Sequence, residues 1–283
     1  MEDWIAGFID MCNAAHQPNE KDYIGDDGFW HCGICKEAKE RLYAVNNGDI
    51  TITKRMYRSC RCERERNRAK QEAEQKAEAS KRIEGLRRAS LMDAKFYEAR
   101  FENHHETPYN AENMRLCRKY VDRFDEMLKI HQGLLFYGNV GTGKSFAAAC
   151  IANALMDKGI PAVMTSFVKL LDMADRREDE ILRRLESCKV VIFDDLGAER
   201  GTDYALERVF DIVDSRDRSN LPMIVTTNLT LKEMHEEVRE RQARIYDRIL
   251  GNCFPVQWTG PSWRKVQAKD RFSRLKSILG VDE

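Results

Sequence analysis

The residues with the clearest chemical meaning form a glycine-rich loop in the middle of the chain. The loop matches the pattern G-x-x-x-x-G-K-[ST] in full, with the residues Gly138, Asn139, Val140, Gly141, Thr142, Gly143, Lys144 and Ser145. In such a loop, backbone N–H groups surround a phosphate, and the N-terminus of the following helix adds partial positive charge. Lys144 would reach the β- and γ-phosphates, and the Ser145 hydroxyl would hold Mg²⁺. The loop therefore predicts a site that binds a nucleoside triphosphate.

Two carboxylates further along the chain fit the second half of such a site. Asp194 and Asp195 directly follow the apolar run Val190–Phe193. Asp194 would fix Mg²⁺, and Asp195 would orient or deprotonate the attacking water. The alternative interpretation is an acidic turn that only closes a buried strand.

Three later polar residues extend the constellation. Asn228 follows the apolar run Met223–Thr226 and is placed to hold the attacking water, although a plain turn explains it equally well. Arg244 and Arg248 lie four residues apart, on one face of a predicted helix. An arginine here would suit a finger that enters a neighbouring subunit's site. A surface helix with Arg–Asp pairs is the competing interpretation.

A parallel α/β fold would bring these residues together. Short apolar runs predict strands at Leu134–Tyr137, Ala162–Thr165, Val190–Phe193, Met223–Thr226 and Phe254–Trp258. Helices are predicted near residues 146–157, 167–174, 177–187, 203–217 and 236–250. Buried parallel strands that alternate with helices form a sheet covered on both faces. The ligand of such a sheet binds at the carboxyl ends of its strands.

The composition divides the chain into three predicted regions. The 283 residues carry no net charge, and this length allows one large core and a smaller module. Between Lys54 and Arg88, 13 Lys and Arg stand against 6 Glu, a local net charge of +7. We predict an N-terminal module at residues 1–65, a charged helical linker at 66–105 and a nucleotide-binding domain at 106–283. The sequence has no apolar run that would span a membrane and no signal peptide, so we expect a cytoplasmic protein without membrane contact.

Four cysteines in the first region have the spacing of a metal site. Cys32 and Cys35 form a C-x₂-C pair, and Cys60 and Cys62 form a tighter C-x-C pair. Four thiolates satisfy tetrahedral Zn²⁺ and leave no open position, so the predicted zinc site is structural. His31 could replace one sulfur. A redox C-x-x-C site and four unrelated reduced thiols are the alternatives.

The motifs taken together resemble the DnaC/DnaI type of bacterial helicase loader, a group of AAA+ ATPases close to the IstB transposition helpers. The resemblance covers about residues 100–270 and rests on the glycine loop, the segment 194–199, Tyr204, the segment 226–229 and the pair Arg244 and Arg248. It implies a RecA-like AAA+ core with a reduced or missing helical lid, and ATP as the nucleotide. By similarity, Arg248 is the finger and Arg264 the sensor-2-like arginine. Asp195 stands where many AAA+ proteins carry Glu, and a shorter side chain is consistent with slow hydrolysis.

The resemblance also implies a function and partners. The protein would load the hexameric replicative DNA helicase onto single-stranded DNA and self-associate in its ATP state. Its zinc module would contact the helicase; a nucleic-acid-binding module is the alternative. Arg200, Thr202 and Tyr204 would contact the single strand, unless they only begin a solvated helix. The main alternative function is an IstB-like helper ATPase that acts on duplex DNA with a transposase, and a second is a nucleotide-gated adaptor whose hydrolysis hardly matters.

Overall fold

A computed structural model describes residues 19–47, 50–198 and 203–281 of the chain. It divides the chain into two compact units, with the boundary between Ala79 and Ser80. The smaller unit contains two short hairpins and the first part of a long helix, and the larger unit contains a five-stranded sheet with its helices. The predicted boundaries at residues 65 and 105 remain predictions.

The smaller unit is built from two antiparallel pairs of strands. Strand β1 (Tyr23–Ile24) pairs with β2 (Trp30–His31). Strand β3 (Glu40–Asn47) pairs with β4 (Ile50–Tyr57) along its whole length. These four strands were not predicted from the sequence. The longer pair spans the chain between the two cysteine pairs, so it brings the two ends of that segment close together.

A long charged helix, α1 (Arg61–Ala89), follows the second cysteine pair. It has no buried residue, so burial of an apolar face does not explain its stability. Salt bridges one helical turn apart do contribute, as between Arg68 and Glu72 and between Glu84 and Arg88. Exposed pairs of this kind are each worth about 0.2–0.5 kcal/mol. Residues 66–89 of the predicted linker are therefore helical and rely on residue propensity and local ion pairs. The prediction was wrong for residues 90–105, which form turns and a short 3₁₀ helix at Ala94–Phe96.

The larger unit contains one parallel sheet of five strands. They are β5 (Gly133–Gly138), β6 (Ala162–Ser166), β7 (Val190–Leu196), β8 (Met223–Thr227) and β9 (Cys253–Trp258). Their spatial order is β6-β7-β8-β5-β9, and every neighbouring pair is parallel. All five predicted strands are present and the predicted parallel α/β fold is confirmed. The order puts the carboxyl ends of β5, β7 and β8 side by side.

Eight further α-helices of the described residues belong to the larger unit. They are α2 (Ala111–Asp122), α3 (Phe124–Lys129), α4 (Lys144–Asp157), α5 (Phe167–Ser187), α6 (Asp203–Arg218), α7 (Leu231–His235), α8 (Glu240–Asn252) and α9 (Trp263–Leu279). The prediction of separate helices at 167–174 and 177–187 was wrong, because the polar residues between them include no Gly or Pro that would end a helix. The helix predicted at 236–250 begins at Glu240 instead, after the separate short helix α7. A single helix, α9, follows β9.

Alternate side chains of each strand enter two separate cores. On β5, Leu134 and Phe136 face one core with α2 and α4, whereas Leu135 faces the other with α5, α6 and α8. Helix α4 is apolar on nearly all sides and is buried along most of its length, as expected of a core helix. No helix among the described residues is long and apolar enough to cross a bilayer.

Lys39 is a fully buried cation of the smaller unit. Its Nζ lies 2.5 Å from Asp22 Oδ2 and 2.7 Å from Glu63 Oε1. Burial alone would lower the pKa of Lys39, but the two carboxylates raise it above its ordinary value. The Tyr57 hydroxyl also donates a hydrogen bond to Glu63. This ion triad connects the loop before β1, the start of β3 and the first turn of α1.

We expect Lys39→Met to destabilise the smaller unit. The substitution leaves Asp22, which is 2 % exposed, without its cation, and an uncompensated buried charge costs about 3–5 kcal/mol. Amide hydrogen exchange of the β3–β4 strands should therefore accelerate about a hundredfold or more. Lys21→Met is the matched control because Lys21 is exposed. Unchanged exchange in Lys39→Met would show that the triad does not hold this unit together.

Candidate nucleotide site and cysteine cluster

The glycine loop lies between β5 and α4 and packs directly against neighbouring backbone. Gly138 has φ 124°, and a Cβ there would lie 2.3 Å from the Trp258 carbonyl oxygen. Gly141 has φ 80°, and its Cβ would lie 2.2 Å from Ser262 Oγ. The Trp263 N–H donates to the Gly141 carbonyl at 2.8 Å. Only glycine fits these two positions, and the loop is fixed to the start of α9.

The ammonium group of Lys144 is held at the centre of the site. Lys144 is the first residue of α4 and is buried. Its Nζ donates to the carbonyl oxygens of Gly138 and Asn139, both at 2.8 Å, and to Asn228 Oδ1 at 2.9 Å. Burial lowers the pKa of Lys144 to about 8; Asp195 and Asp194 oppose this shift. The lysine is thus a desolvated cation whose present partners are neutral oxygens.

The two carboxylates after β7 are positioned by residues at the end of β8. The Thr226 hydroxyl donates to Asp194 Oδ1 at 2.7 Å and accepts a hydrogen bond from the Asp195 N–H at 2.9 Å. Asn228 Nδ2 donates to Asp195 Oδ1 at 3.0 Å. A continuous chain of hydrogen bonds therefore joins Lys144, Asn228 and Asp195. Thr226 belongs to a motif of the sequence, but no role was predicted for it; its place near Asn228 at the end of the strand was the available signal.

Asp195 adopts an unusual backbone conformation. Its φ is 63°, in the left-handed region, which costs an ordinary residue about 1 kcal/mol or more. The pairing of β7 with β8 shifts register between Phe193 and Leu196, and the Thr227 hydroxyl donates to the Leu196 carbonyl at 2.8 Å. Such irregularities redirect side chains next to functional sites. Here the irregularity directs the two consecutive carboxylates to different partners. Asp194 bonds to Thr226 of β8, and Asp195 bonds to Asn228 just after that strand.

The remaining predicted residues of the nucleotide site lie on the same loop or next to it. Ser145 is half-buried in the first turn of α4, and Val140 is exposed at the tip of the loop. The Thr142 hydroxyl donates to the Asn139 carbonyl at 2.9 Å. Arg264 is exposed in the first turn of α9, and its charge further lowers the pKa of Lys144. Arg264 is therefore close enough to the lysine to act on it electrostatically.

Of the three residues predicted to touch DNA, only Tyr204 is described. Arg200 and Thr202 lie outside the described residues. Tyr204 is exposed in the first turn of α6. The Arg208 guanidinium lies over its ring, 5.4 Å from the ring centre. Arg208 is one helical turn beyond Tyr204, a signal that the sequence analysis did not use.

Arg248 is engaged within its own chain. Its Nε and Nη2 both lie 2.7 Å from Asp214 Oδ1 on α6. Its guanidinium lies 4.6 Å from the ring centre of Phe210, and that of Arg244 lies 4.5 Å from the same ring. Arg218 also contacts Asp214, at 2.7 Å. The guanidinium of Arg248 is thus held between α6 and α8.

The four N-terminal cysteines come together as one cluster. The Sγ atoms of Cys32, Cys35, Cys60 and Cys62 all lie within 4.8 Å of one another. Backbone N–H groups of Cys62 and Glu37 point at Cys35 and lower the pKa of its thiol to about 6. Burial has the opposite effect on Cys60 and raises the pKa of its thiol to about 12. Because the thiolate is the form of cysteine that binds metal ions, the four sulfurs at this spacing would fit tetrahedral Zn²⁺ once their protons are released.

His31 is excluded from the cluster by its own hydrogen bonds. One of its ring nitrogens, Nδ1, lies 3.0 Å from the Lys36 carbonyl, and the other, Nε2, lies 3.0 Å from Asp27 Oδ2. Neither nitrogen is directed to the sulfurs. The cluster therefore has four cysteines and no histidine, and the C-x-C pair supplies two sulfurs in spite of its tight spacing.

The fold and the site together define an AAA+ protein with a P-loop. The family of IstB-like ATP-binding proteins matches residues 72–271, which are 200 of the 283 residues. The chain therefore belongs to the IstB-like ATP-binding protein family.

Replicative helicase loaders are among its relatives. The chain is 28% identical over 163 residues to DnaC of Escherichia coli K12, which covers 54% of this chain and 64% of DnaC. It is 28% identical over 148 residues to DnaI of Bacillus subtilis, which covers 47% of this chain and 48% of DnaI. The matches thus span less than two thirds of these relatives. The predicted resemblance to the DnaC/DnaI loaders is confirmed as homology.

Solved structures agree with this relationship. The crystal structure of DnaI has a TM-score of 0.52 at 25% identity, covering 62% of this chain and 98% of that one. The crystal structure of the DnaC helicase loader has a TM-score of 0.51 at 22% identity, covering 59% and 100%. The likeness to the DnaC structure, at 22% identity, shows that the two chains share a fold.

We expect Thr226→Val to slow ATP turnover without weakening ATP binding. Valine keeps the shape of threonine but removes the hydrogen bonds to Asp194 and to the Asp195 N–H. A hydrogen bond to a charged group is worth about 1.5–3 kcal/mol, so kcat should fall about tenfold or more. Thr226→Ser restores the hydroxyl and should restore most of kcat. A purely structural role would lower the activity of both variants together with thermal stability.

The pKa of Lys144 predicts proton uptake when ATP binds. A bound triphosphate favours the charged ammonium, so the pKa of Lys144 must rise from about 8 in the free chain. Affinity should be constant below this pKa and fall as the pH rises above it. At about pH 8.5, roughly three quarters of a proton should be taken up per ATP. Calorimetry in buffers of different ionisation enthalpy measures this uptake; its absence would contradict the low pKa.

Proposed function

We propose that this protein is an ATP-dependent loader of the replicative DNA helicase, which places that helicase on single-stranded DNA. Homology to DnaC and DnaI supports the loader function. The observation that carries the ATPase assignment is the convergence of Lys144, Asn228, Asp195 and Asp194 at adjoining strand ends. We retain the predicted organisation of an N-terminal zinc module, a charged helix and an ATPase domain, in a cytoplasmic protein.

Binding of the triphosphate begins at Lys144 and the glycine loop. The ammonium group exchanges its carbonyl partners and Asn228 Oδ1 for the β- and γ-phosphate oxygens. Because these oxygens are negatively charged, they offset the desolvation free energy of the ammonium group better than the neutral oxygens do. The N–H groups of the loop and of the first turn of α4 hold the β-phosphate. Arg264 lies near enough to add positive charge at the same place. Release of Asn228 from Lys144 frees its side chain as the phosphates enter.

Hydrolysis depends on the carboxylates and on Asn228. Ser145 and Asp194 would hold Mg²⁺, which neutralises charge on the β- and γ-oxygens when it is bound. Thr226 keeps the Asp194 carboxylate turned toward β8. Asp195 orients the attacking water or accepts its proton, and Asn228 holds that water from the other side. A short aspartate reaches less far than glutamate, which favours slow turnover.

Single-stranded DNA would bind beside this site, at the start of α6. Tyr204 offers an exposed aromatic face on which a base can stack, and Arg208 brings positive charge to the same ring. Stacking of this kind contributes about 1–3 kcal/mol per base. Arg200 and Thr202 remain candidates for phosphate contacts. A solvated helix start remains the alternative.

The zinc module would contact the helicase. Cys32, Cys35, Cys60 and Cys62 would hold Zn²⁺, which stabilises a unit too small for a large core. A nucleic-acid-binding module is the alternative role.

In the ATP state we propose that copies associate, so that Arg248 of one copy completes the site of the next. For this, the γ-phosphate must compete with Asp214 for the guanidinium. We expect Arg248→Ala to lose ATP turnover and to keep ATP binding. Arg218→Ala is the matched control because it removes another cation from the same Asp214 carboxylate. An ATP hydrolysis rate of Arg248→Ala equal to that of the wild type would contradict the proposed finger role of Arg248.

A loading assay tests the proposed function. The purified hexameric helicase of the same host is mixed with circular single-stranded DNA, ATP and either the wild-type protein or Asp195→Asn. The wild-type protein should increase the amount of helicase bound to DNA, and Asp195→Asn should stall after one round. An adaptor that does not depend on hydrolysis would keep full activity with Asn at this position. No loading by the wild-type protein would contradict the proposal.

An IstB-like transposition helper remains the second candidate. The family match alone is compatible with it. The replicative helicase loaders among the relatives favour loading. ATP-dependent binding to duplex DNA together with a transposase would support the alternative.

A further inference from the structure

The last described helix carries an exposed apolar stripe. On α9, Ala268, Phe272, Leu275 and Leu279 follow each other at intervals of four, three and four residues, so they lie on one side of the helix. Phe272 and Leu279 are each 64% exposed, and Leu275 is 48% exposed. A contiguous apolar surface of this kind usually marks an interaction site.

Positive charge borders the stripe on both sides. Helix α9 has six cations and one acidic residue, a net charge of +5. By helical spacing, Lys265, Lys269 and Lys276 lie along one edge of the stripe, and Arg264 and Arg271 lie along the other. The surface that α9 offers is therefore apolar in the middle and basic at its margins.

A cleft of the same unit has the opposite charge. It has a volume of about 440 Å³ and lies between Gly197, the start of α6, α7 and the start of α8. Its apolar lining includes Leu206, Leu229 and Tyr246, and Val238 at its margin is 91% exposed. Three glutamates and one arginine also line it, a net charge of −2: Glu233, Glu236, Glu237 and Arg239.

The acids of the cleft are partly neutralised within the chain. Glu237 pairs with Arg239 at 3.1 Å, and Glu236 lies 3.9 Å from Lys232. Glu233 accepts hydrogen bonds from Thr230 at the start of α7. Even so, the segment 231–240 carries four glutamates against one lysine and one arginine. The cleft therefore stays acidic around an apolar floor.

We propose that α9 of one copy of this protein docks into the acidic cleft of a second copy. The stripe would cover the apolar floor, and the lysine and arginine rows would face the glutamates. Charge of opposite sign on the two surfaces fixes the register and disfavours the reverse pairing. Because the two surfaces are different, the contact is head-to-tail and can continue from copy to copy.

This contact would connect one copy's nucleotide loop to its neighbour. The first residue of α9, Trp263, is hydrogen-bonded to Gly141 of the glycine loop, and the next residue, Arg264, acts on Lys144. A docked α9 is thus fixed at its start to its own nucleotide site. The inference rests on the proposed association of copies in the ATP state, for which it names the contacting surfaces, and it does not require hydrolysis.

Two variants test the contact. The helix variant carries Phe272→Glu and Leu275→Glu, and the cleft variant carries Glu236→Lys and Val238→Lys; all four positions are exposed. Sedimentation velocity of the full chain with ATP and Mg²⁺ should show self-association of the wild type. In each variant alone, self-association should weaken about tenfold or more. An equimolar mixture should form a heterodimer and nothing larger, since only one intact helix and one intact cleft remain.

Several results would overturn the proposal. Wild-type protein that stays monomeric, variants that associate like the wild type, or a mixture that does not pair would each do so. Loss of binding to single-stranded DNA or to anionic vesicles in the helix variant, with unchanged association, would assign α9 to a polyanion instead. Circular dichroism and ATP affinity at low concentration check that both variants are folded. Variants that associate like the wild type would overturn this contact alone, whereas a monomeric wild type would also overturn the association through Arg248. Helicase loading is a separate readout, so neither result by itself contradicts the loader function.

Discussion

The larger unit depends on keeping one desolvated cation at the carboxyl ends of its strands. Lys144 is buried among carbonyl oxygens and Asn228, and its pKa falls to about 8 because water no longer solvates its charge. Binding of an anion beside such a desolvated cation has a large favourable electrostatic free energy. The tight glycine loop, the register shift in β7 and the side chains of β8 all position groups around that charge. The strand ends that desolvate Lys144 therefore also favour the binding of a triphosphate.

The smaller unit is stabilised in a different way, because it is too small to rely on an apolar core. Two polar features hold it together: a cluster of four cysteine sulfurs and a buried lysine between two carboxylates. Removal of one member of such a set leaves another charge or thiolate without its partner. We therefore regard the cysteine cluster and the Lys39 triad as one structural system, which presents the hairpins and begins α1.

Sequence alone predicted the five strands, since buried parallel strands are continuous apolar runs that local pattern identifies. It also predicted the glycine loop, both aspartates and the four cysteines, where spacing carries the chemistry. It missed the β3–β4 pair, whose strands mix polar and apolar residues without a continuous apolar run. It also missed the triad of Lys39 and the double role of Thr226, because these depend on contacts between residues far apart in the chain. Arg200 and Thr202 lie outside the described residues, and their predicted role remains untested.

The most direct measurement of the central claim is affinity capture with the tagged full chain from host lysate, with and without ATP, followed by mass spectrometry. The account predicts recovery of the hexameric replicative helicase in an ATP-dependent manner, and loss of that helicase when residues 1–65 are removed. A variant with Cys60→Ser should behave like the truncation if the cysteine cluster holds the module together. Recovery of a transposase without the helicase would contradict the loader function and leave only the ATP-binding assignment.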